Sequence, residues 1–158
     1  RLDRLLQAHA VVDEVDDRIH KERSKKDVAM WIRNWLATGF VERLFLLLLE
    51  KGYHVYLTAD HGNVEARGIG RPNQGVIAET RGERVRVYRS ESLLADSATT
   101  YPGTARLEVP GLPATFMPLF AGGRTAFVQE GEQVVVHGGV SVEELIVPFV
   151  KVSLVKGL

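Results

Sequence analysis

The sequence predicts an α/β fold: a partial sheet flanked by helices, with an antiparallel hairpin near the C-terminus. Three observations carry this prediction. Apolar residues three and four apart, the signature of helices, alternate before residue 90 with a run rich in β-branched and aromatic residues. The runs 125–129 and 133–137 flank Glu130-Gly131-Glu132, a hairpin-like turn. The chain has 158 residues, enough to bury one core, and no internal repeat.

The elements follow in order. Leu2, Leu5, Leu6 and Ala10 are at helical spacing over residues 1–12. Asp13 to Lys21 is acidic and turns basic through Lys26. Asp27 is placed to cap a helix with Val28, Trp31, Ile32, Trp35 and Leu36 on one face. Gly39 breaks it, and a second helix carries Phe40, Val41, Leu44, Phe45, Leu47 and Leu48 to a C-terminal stop at Gly52. Residues 53–59 read as a buried strand. Residues 62–82, with six glycines and prolines between them, read as a long irregular segment, the kind that carries function in compact domains. A short strand over 83–88, a short helix over 91–98, a proline-containing loop over 99–115 and a strand over 115–119 come next. Ser141-Val-Glu-Glu144 is a capping-box pattern, and residues 145–155 alternate as a last strand with Pro148 at an edge or bulge.

Composition excludes several classes of function. Lys plus Arg equals Asp plus Glu at 20 each, so overall charge points to no nucleic-acid or membrane partner. Cysteine is absent, which removes disulfides, thiolate catalysis and Cys-ligated metal, and suits a reducing, cytoplasmic setting. The longest apolar run, Leu44 to Leu49, falls far short of the roughly 20 residues that span a bilayer. No signal-peptide pattern opens the chain, and residue 1 is Arg rather than Met, as expected of a piece of a longer protein.

Chemistry concentrates in three places. At the end of the 53–59 strand, Asp60 and His61 emerge together before Gly62; in open α/β sheets ligands bind beyond such strand ends. Carboxylate and neutral imidazole are donors suited to zinc or manganese. The same residues also make an ordinary strand-end turn with Asp60 bonded to its own backbone. Asp16 and His20 lie one helical turn apart, a spacing that serves a metal clamp or a simple ion pair equally well. Asp13 and Asp17 form a rival acidic pair at that spacing. His137 ends an apolar strand and precedes Gly138-Gly139, which leaves either open space around a ligand or a plain turn. His9 and His54 lack such context and read as structural. Gly68-Ile-Gly70-Arg71 lacks the Lys-Ser/Thr ending of a P-loop. Arg67, Arg71, Arg81, Arg84 and Arg86 cluster nearby; of these Arg71, Arg81 and Arg84 are the candidates to face a phosphate group.

Together the stretches VDDRIH (15–20), LTADHGNVEARGIGRPNQGVIAETRGERVRVY (57–88) and VVVHGGVSVEELIVPFV (134–150) resemble the C-terminal part of a PglZ domain, a branch of the alkaline phosphatase superfamily. The resemblance spans nearly the whole chain and implies a partial alkaline-phosphatase-like sheet. It implies two metal ions, zinc or alternatively manganese, in the complete domain. One would be held by Asp16, His20 and His137, the other by Asp60, His61 and an Asp with no match in this sequence. The Ser or Thr nucleophile of the superfamily also has no match, so residues 1–158 are expected to be inactive alone. The activity implied is metal-dependent phosphatase or phosphodiesterase chemistry, on a phosphoester such as nucleic acid or a nucleotide. The implied setting is a multiprotein BREX-type phage-defence assembly of bacteria. The alternative is a non-catalytic module that binds partners in that assembly, and homo-association of the fragment is a further expectation.

Overall fold

The computed structural model describes residues 7–19, 21–72, 79–80, 82–108 and 110–155. In chain order the elements are α1 (Glu14–Ile19), α2 (Lys25–Leu36), α3 (Phe40–Glu50), β1 (Val55–Thr58), β2 (Val64–Gly68), β3 (Glu79–Thr80) and β4 (Val85–Tyr88). They continue with α4 (Glu91–Thr100), β5 (Ala105–Arg106), β6 (Met117–Phe120), β7 (Thr125–Ala126), β8 (Gln133–Val136), α5 (Val142–Leu145) and β9 (Phe149–Val152). The strands form a pair, β1-β9, a three-stranded sheet, β7-β2-β8, and a four-stranded sheet, β3-β4-β6-β5. The α/β class holds, in a mixed and largely antiparallel form. Among the described residues no helix is long and apolar enough to cross a membrane.

Local signals place the helix ends. Gly39 takes φ +73° and separates α2 from α3. Gly52 takes φ +81° just past α3, where its amide reaches Leu49 O at 3.0 Å and the Tyr53 amide reaches Leu48 O at 3.0 Å. This paired pattern closes the last carbonyls of the helix and needs a residue at ease in the left-handed region. The cap of α2 lies three residues before the expected Asp27: Ser24 accepts from the Asp27 amide at 3.2 Å, and Asp27 occupies the first turn beside the positive end of the helix dipole. The described part of 1–12, residues 7–12, is not helical, and Val11 is exposed.

The expected hairpin is split. The Thr125–Ala126 and Gln133–Val136 strands lie on opposite edges of β2, parallel and antiparallel to it, and do not pair with one another. The physical reason lies in residues 68–70, whose backbone occupies the space between the two arms. Ile69 N donates to Ala126 O at 3.0 Å and Gly70 N to Val128 O at 2.9 Å, while Gly68 N donates to Glu132 O at 2.8 Å. Gly131 N returns to Gly68 O at 2.9 Å. A Cβ on Gly68 would overlap the Gln129 carbonyl oxygen, so only glycine admits this threading. Gly68→Ala is accordingly expected to cost about 1–3 kcal/mol. Urea denaturation checks it, and an unchanged midpoint would contradict the packing.

Three apolar clusters hold the layers. Val64, Ala66, Ala126, Val128 and Val136 pack on one face of the β7-β2-β8 sheet. Tyr88, Leu94, Leu119, Ala121 and Phe127 join α4 to the four-stranded sheet. Ile19 and Val28 meet Val135, with Val15 and Ile32 packed against them, so α1 and α2 dock on β8. Val135 and Val136 point to opposite faces of the same strand, as the period of two requires. Docking through Val15 and Ile19 brings Asp16 of the short helix α1 to the end of β8. Strand β1 departs from its expected burial. Only Val55 is buried, while Tyr56 is 53% exposed and stacks on Phe149, itself 74% exposed, with centroids 5.4 Å apart.

Candidate metal centre

Three segments far apart in sequence converge beyond the ends of β1 and β8. Asp16 comes from α1, His61 from the turn after β1 and His137 from the residue after β8. One ligand atom from each lies within 4.8 Å of the others. The His61 and His137 rings stack with centroids 3.8 Å apart and planes 14° apart. His61 Nε2 lies 3.8 Å from an Asp16 carboxylate oxygen, too far for a hydrogen bond and close enough for two ligands of one ion with bonds of about 2.0–2.2 Å. His61 and His137 are part-buried and the Asp16 side chain is half exposed, so the group opens to solvent.

The orientation of His61 follows from its second nitrogen. Nδ1 sits 3.0 Å from the Gly62 carbonyl oxygen. A carbonyl only accepts, so Nδ1 carries the proton in the neutral ring and Nε2 presents its lone pair to the cluster. This backbone contact is the usual support of a metal-ligating imidazole. Two imidazole nitrogens and a carboxylate oxygen form a donor set that fits zinc or manganese.

The remaining sequence candidates are distributed around this group. Asp60 is adjacent: a carboxylate oxygen lies 3.8 Å from His61 Nε2 and accepts from the His61 amide at 3.1 Å, and the side chain is 90% exposed. It thus makes the strand-end turn and borders the cluster at once. Asp16, rather than Asp13 or Asp17, reaches the imidazoles. His20 and Arg81 lie outside the described residues. His9 and His54 are exposed and stand apart from the group. Arg71 is exposed.

Arg84, expected to face substrate, is instead buried at 2% exposure and committed within the protein. Its Nε and Nη2 donate to the two oxygens of Glu144 at 3.1 and 3.2 Å, and Nη1 donates to Thr125 O. Glu144 is equally buried and also accepts from the Gly139 amide at 2.8 Å and the Ser141 amide at 3.2 Å. Burial pushes its carboxyl up, but the hydrogen bonds from Arg84, Ser141 and Gly139 and the Arg84 charge together outweigh it and hold the group below the ordinary carboxylate range. The capping box at Ser141–Glu144 was legible in sequence; the buried Arg partner was not, because residues 84 and 144 meet only in the tertiary fold. Arg86 is likewise internal, donating to Gly82, Val85 and Phe127 carbonyls and lying 5.2 Å over the Phe127 ring.

An aspartate and two histidines converging beyond strand ends form, on an α/β scaffold, a group that could hold a metal ion. The family comparison goes further: the model of the BREX system PglZ alkaline phosphatase-like domain matches residues 5–152, nearly the whole chain, and the chain belongs to that family. It is thereby an alkaline phosphatase-like domain of a BREX phage-defence system. Searches of curated proteins and of solved structures returned no match.

Proposed function

We propose that this chain supplies metal ligands to a metal-dependent phosphoester hydrolase site. The observation that carries the reading is the convergence of Asp16, His61 and His137 from three separate segments. Asp60 borders the same group, and His20, four positions after Asp16 in the sequence, is a further candidate ligand by the family resemblance. Divalent zinc or manganese bound there would supply Lewis-acid stabilisation of charge at phosphorus. The residues themselves provide an orienting carbonyl behind His61, a carboxylate that fixes net charge, and an open face for a phosphoester. Arg71 is exposed, and its fork of donors suits it to meet an equatorial phosphate oxygen.

The proposal leaves the nucleophile and one further Asp ligand to a segment outside residues 1–158. Residues 1–158 are therefore expected to bind zinc without turning over an aryl phosphodiester. A longer protein carrying both segments is expected to turn it over, in a manner lost on Asp60→Ala. Turnover by residues 1–158 that Asp60→Ala removes would contradict this division of labour. The substrate class proposed is a phosphoester such as nucleic acid or a nucleotide, and the setting is cytoplasmic.

A second reading, a partner-binding module of the defence assembly, draws on the surface of the β1-β9 pair. Tyr56, Leu57, Phe149 and Val150 are all exposed there, and among the described residues β1 has β9 as its one strand neighbour. Apolar residues on both faces of an edge strand favour pairing with another polypeptide, a defence protein or a second copy of this chain. Sedimentation velocity is expected to show association at tens of micromolar that Phe149→Lys reduces; equal behaviour of both proteins would remove this surface from consideration.

A further inference from the structure

His61 lies in the turn between β1 and β2, and His137 in the turn after β8; the β2-β8 ladder pairs Val64 with Val136 and so aligns the two strands up to the edge of the site. Both imidazoles lie beyond that last pair, His61 three residues before Val64 and His137 one residue after Val136. Beyond the ladder, hydrogen bonds from both turns meet at Glu144. Its main-chain carbonyl accepts from the Gly62 amide at 2.8 Å, one residue past His61. Its side chain accepts from the Gly139 amide at 2.8 Å, two residues past His137. Its carboxylate is in turn fixed by the Arg84 fork, and Arg84 ties to Thr125 O at the start of β7. Both glycines are demanded by this closeness. A Cβ on Gly62 would overlap the Glu143 carbonyl oxygen, and one on Gly139 would lie 2.5 Å from a Glu144 carboxylate oxygen and 2.8 Å from Arg84 Nε.

We propose that Glu144, locked by Arg84, is the positioning residue of the candidate centre, holding His61 through its backbone carbonyl and His137 through its carboxylate. It touches neither metal nor substrate. It acts by keeping the Gly62 and Gly139 amides anchored to a single buried residue, so that the imidazole stack forms before any ion arrives. The inference rests on the metal reading for its consequence, but its geometric content, the preformed stack, is independent of any ion.

The test uses the 158-residue chain with Glu144→Ala, Glu144→Gln and, as a stability control remote from the centre, Leu119→Ala in the α4 cluster. Two readouts are taken at a temperature where all are folded. The first is metal-free: cross-relaxation between the His61 and His137 ring protons by NMR. The wild type and Leu119→Ala are expected to show it, Glu144→Gln to weaken it and Glu144→Ala to lose it. The second is zinc affinity by calorimetry. Glu144→Ala is expected to weaken zinc about 10–100-fold, the range of outer residues that orient ligands, Glu144→Gln less, and Leu119→Ala within twofold. A Glu144→Ala protein that keeps both the ring contact and the zinc affinity overturns the proposal while leaving the metal reading standing. A wild type that shows the ring contact but takes no zinc defeats the metal reading and leaves the positioning role to be judged by the contact alone. If Glu144→Ala does not fold, Glu144→Gln decides: full retention of contact and affinity overturns the proposal.

Discussion

Replacing His137 with Ala is expected to weaken zinc binding by more than about 100-fold, since loss of a ligand exceeds the roughly 10–100-fold cost of losing a residue that merely orients one. His61→Ala is expected to do the same. The stacked rings, 3.8 Å apart, place two nitrogen donors on one side of the group, and Asp16 supplies the only negative charge among the three clustered residues. Removing either ring leaves one imidazole and a half-exposed carboxylate, a set that rarely retains zinc. Asp60→Ala, by contrast, removes a side chain 90% exposed to water whose carboxylate already accepts from the His61 amide. Its effect on zinc affinity is expected to stay within a few-fold. Calorimetric titration of the four proteins checks the pattern. Equal losses from Asp60→Ala and His137→Ala would mean that the two carboxylates and the imidazoles are divided differently from the arrangement described.

The second large effect is on stability. Arg84→Met is expected to cost about 3–5 kcal/mol, because it strands the Glu144 carboxylate in the interior while both partners are only 2% exposed. The pair Arg84→Met with Glu144→Leu is expected to recover much of the loss, since two apolar residues leave no charge buried. Acid dependence supplies an independent signature. The Glu144 carboxyl is held below its ordinary value of 4.5 in the folded chain, so the unfolded chain takes up the proton first. Its contribution is therefore complete above that value and is lost as the pH falls through the lower, folded value. Without Arg84 its hydrogen bonds and charge are lost, and burial is opposed only by the Ser141 and Gly139 hydrogen bonds, so the carboxyl moves up relative to the wild type. The Arg84→Met penalty is then expected to shrink as acid neutralises Glu144. Thermal unfolding at pH 7 and at pH 4 measures this, and a penalty that grows in acid would contradict the buried fork.

Sequence legibility tracked the range of the interaction responsible. Gly39 and Gly52 punctuate α2 and α3 as read, because helix termination depends on the conformation of one residue and its immediate neighbours. The Ser141–Glu144 box was visible for the same reason. Asp60-His61 and His137 stood out because each follows an apolar strand and precedes glycine, and two of these three are in the converging group. Long-range features did not show. Residues 125–136 look like a hairpin locally, and only the passage of residues 68–70 between the arms splits it. Arg84 resembles its neighbour Arg71 in the sequence, yet one is buried against a glutamate 60 positions on and the other is exposed. The β-branched and aromatic content of 53–59 suggested a buried strand, but burial depends on what covers the strand, and in β1 only Val55 is buried. The partnership of Asp16 with His61 across 45 positions is equally beyond a reading by spacing.

The central claim is that the group at Asp16, His61 and His137 is a metal centre, and zinc K-edge X-ray absorption on the 158-residue chain loaded with one equivalent of zinc tests it most directly. The expected spectrum has a first shell of nitrogen and oxygen at about 2.0–2.2 Å with the outer-shell scattering of at least two imidazoles, one set of which disappears in His61→Ala and one in His137→Ala. An all-oxygen shell without imidazole scattering, or a spectrum unchanged by both substitutions, would contradict it.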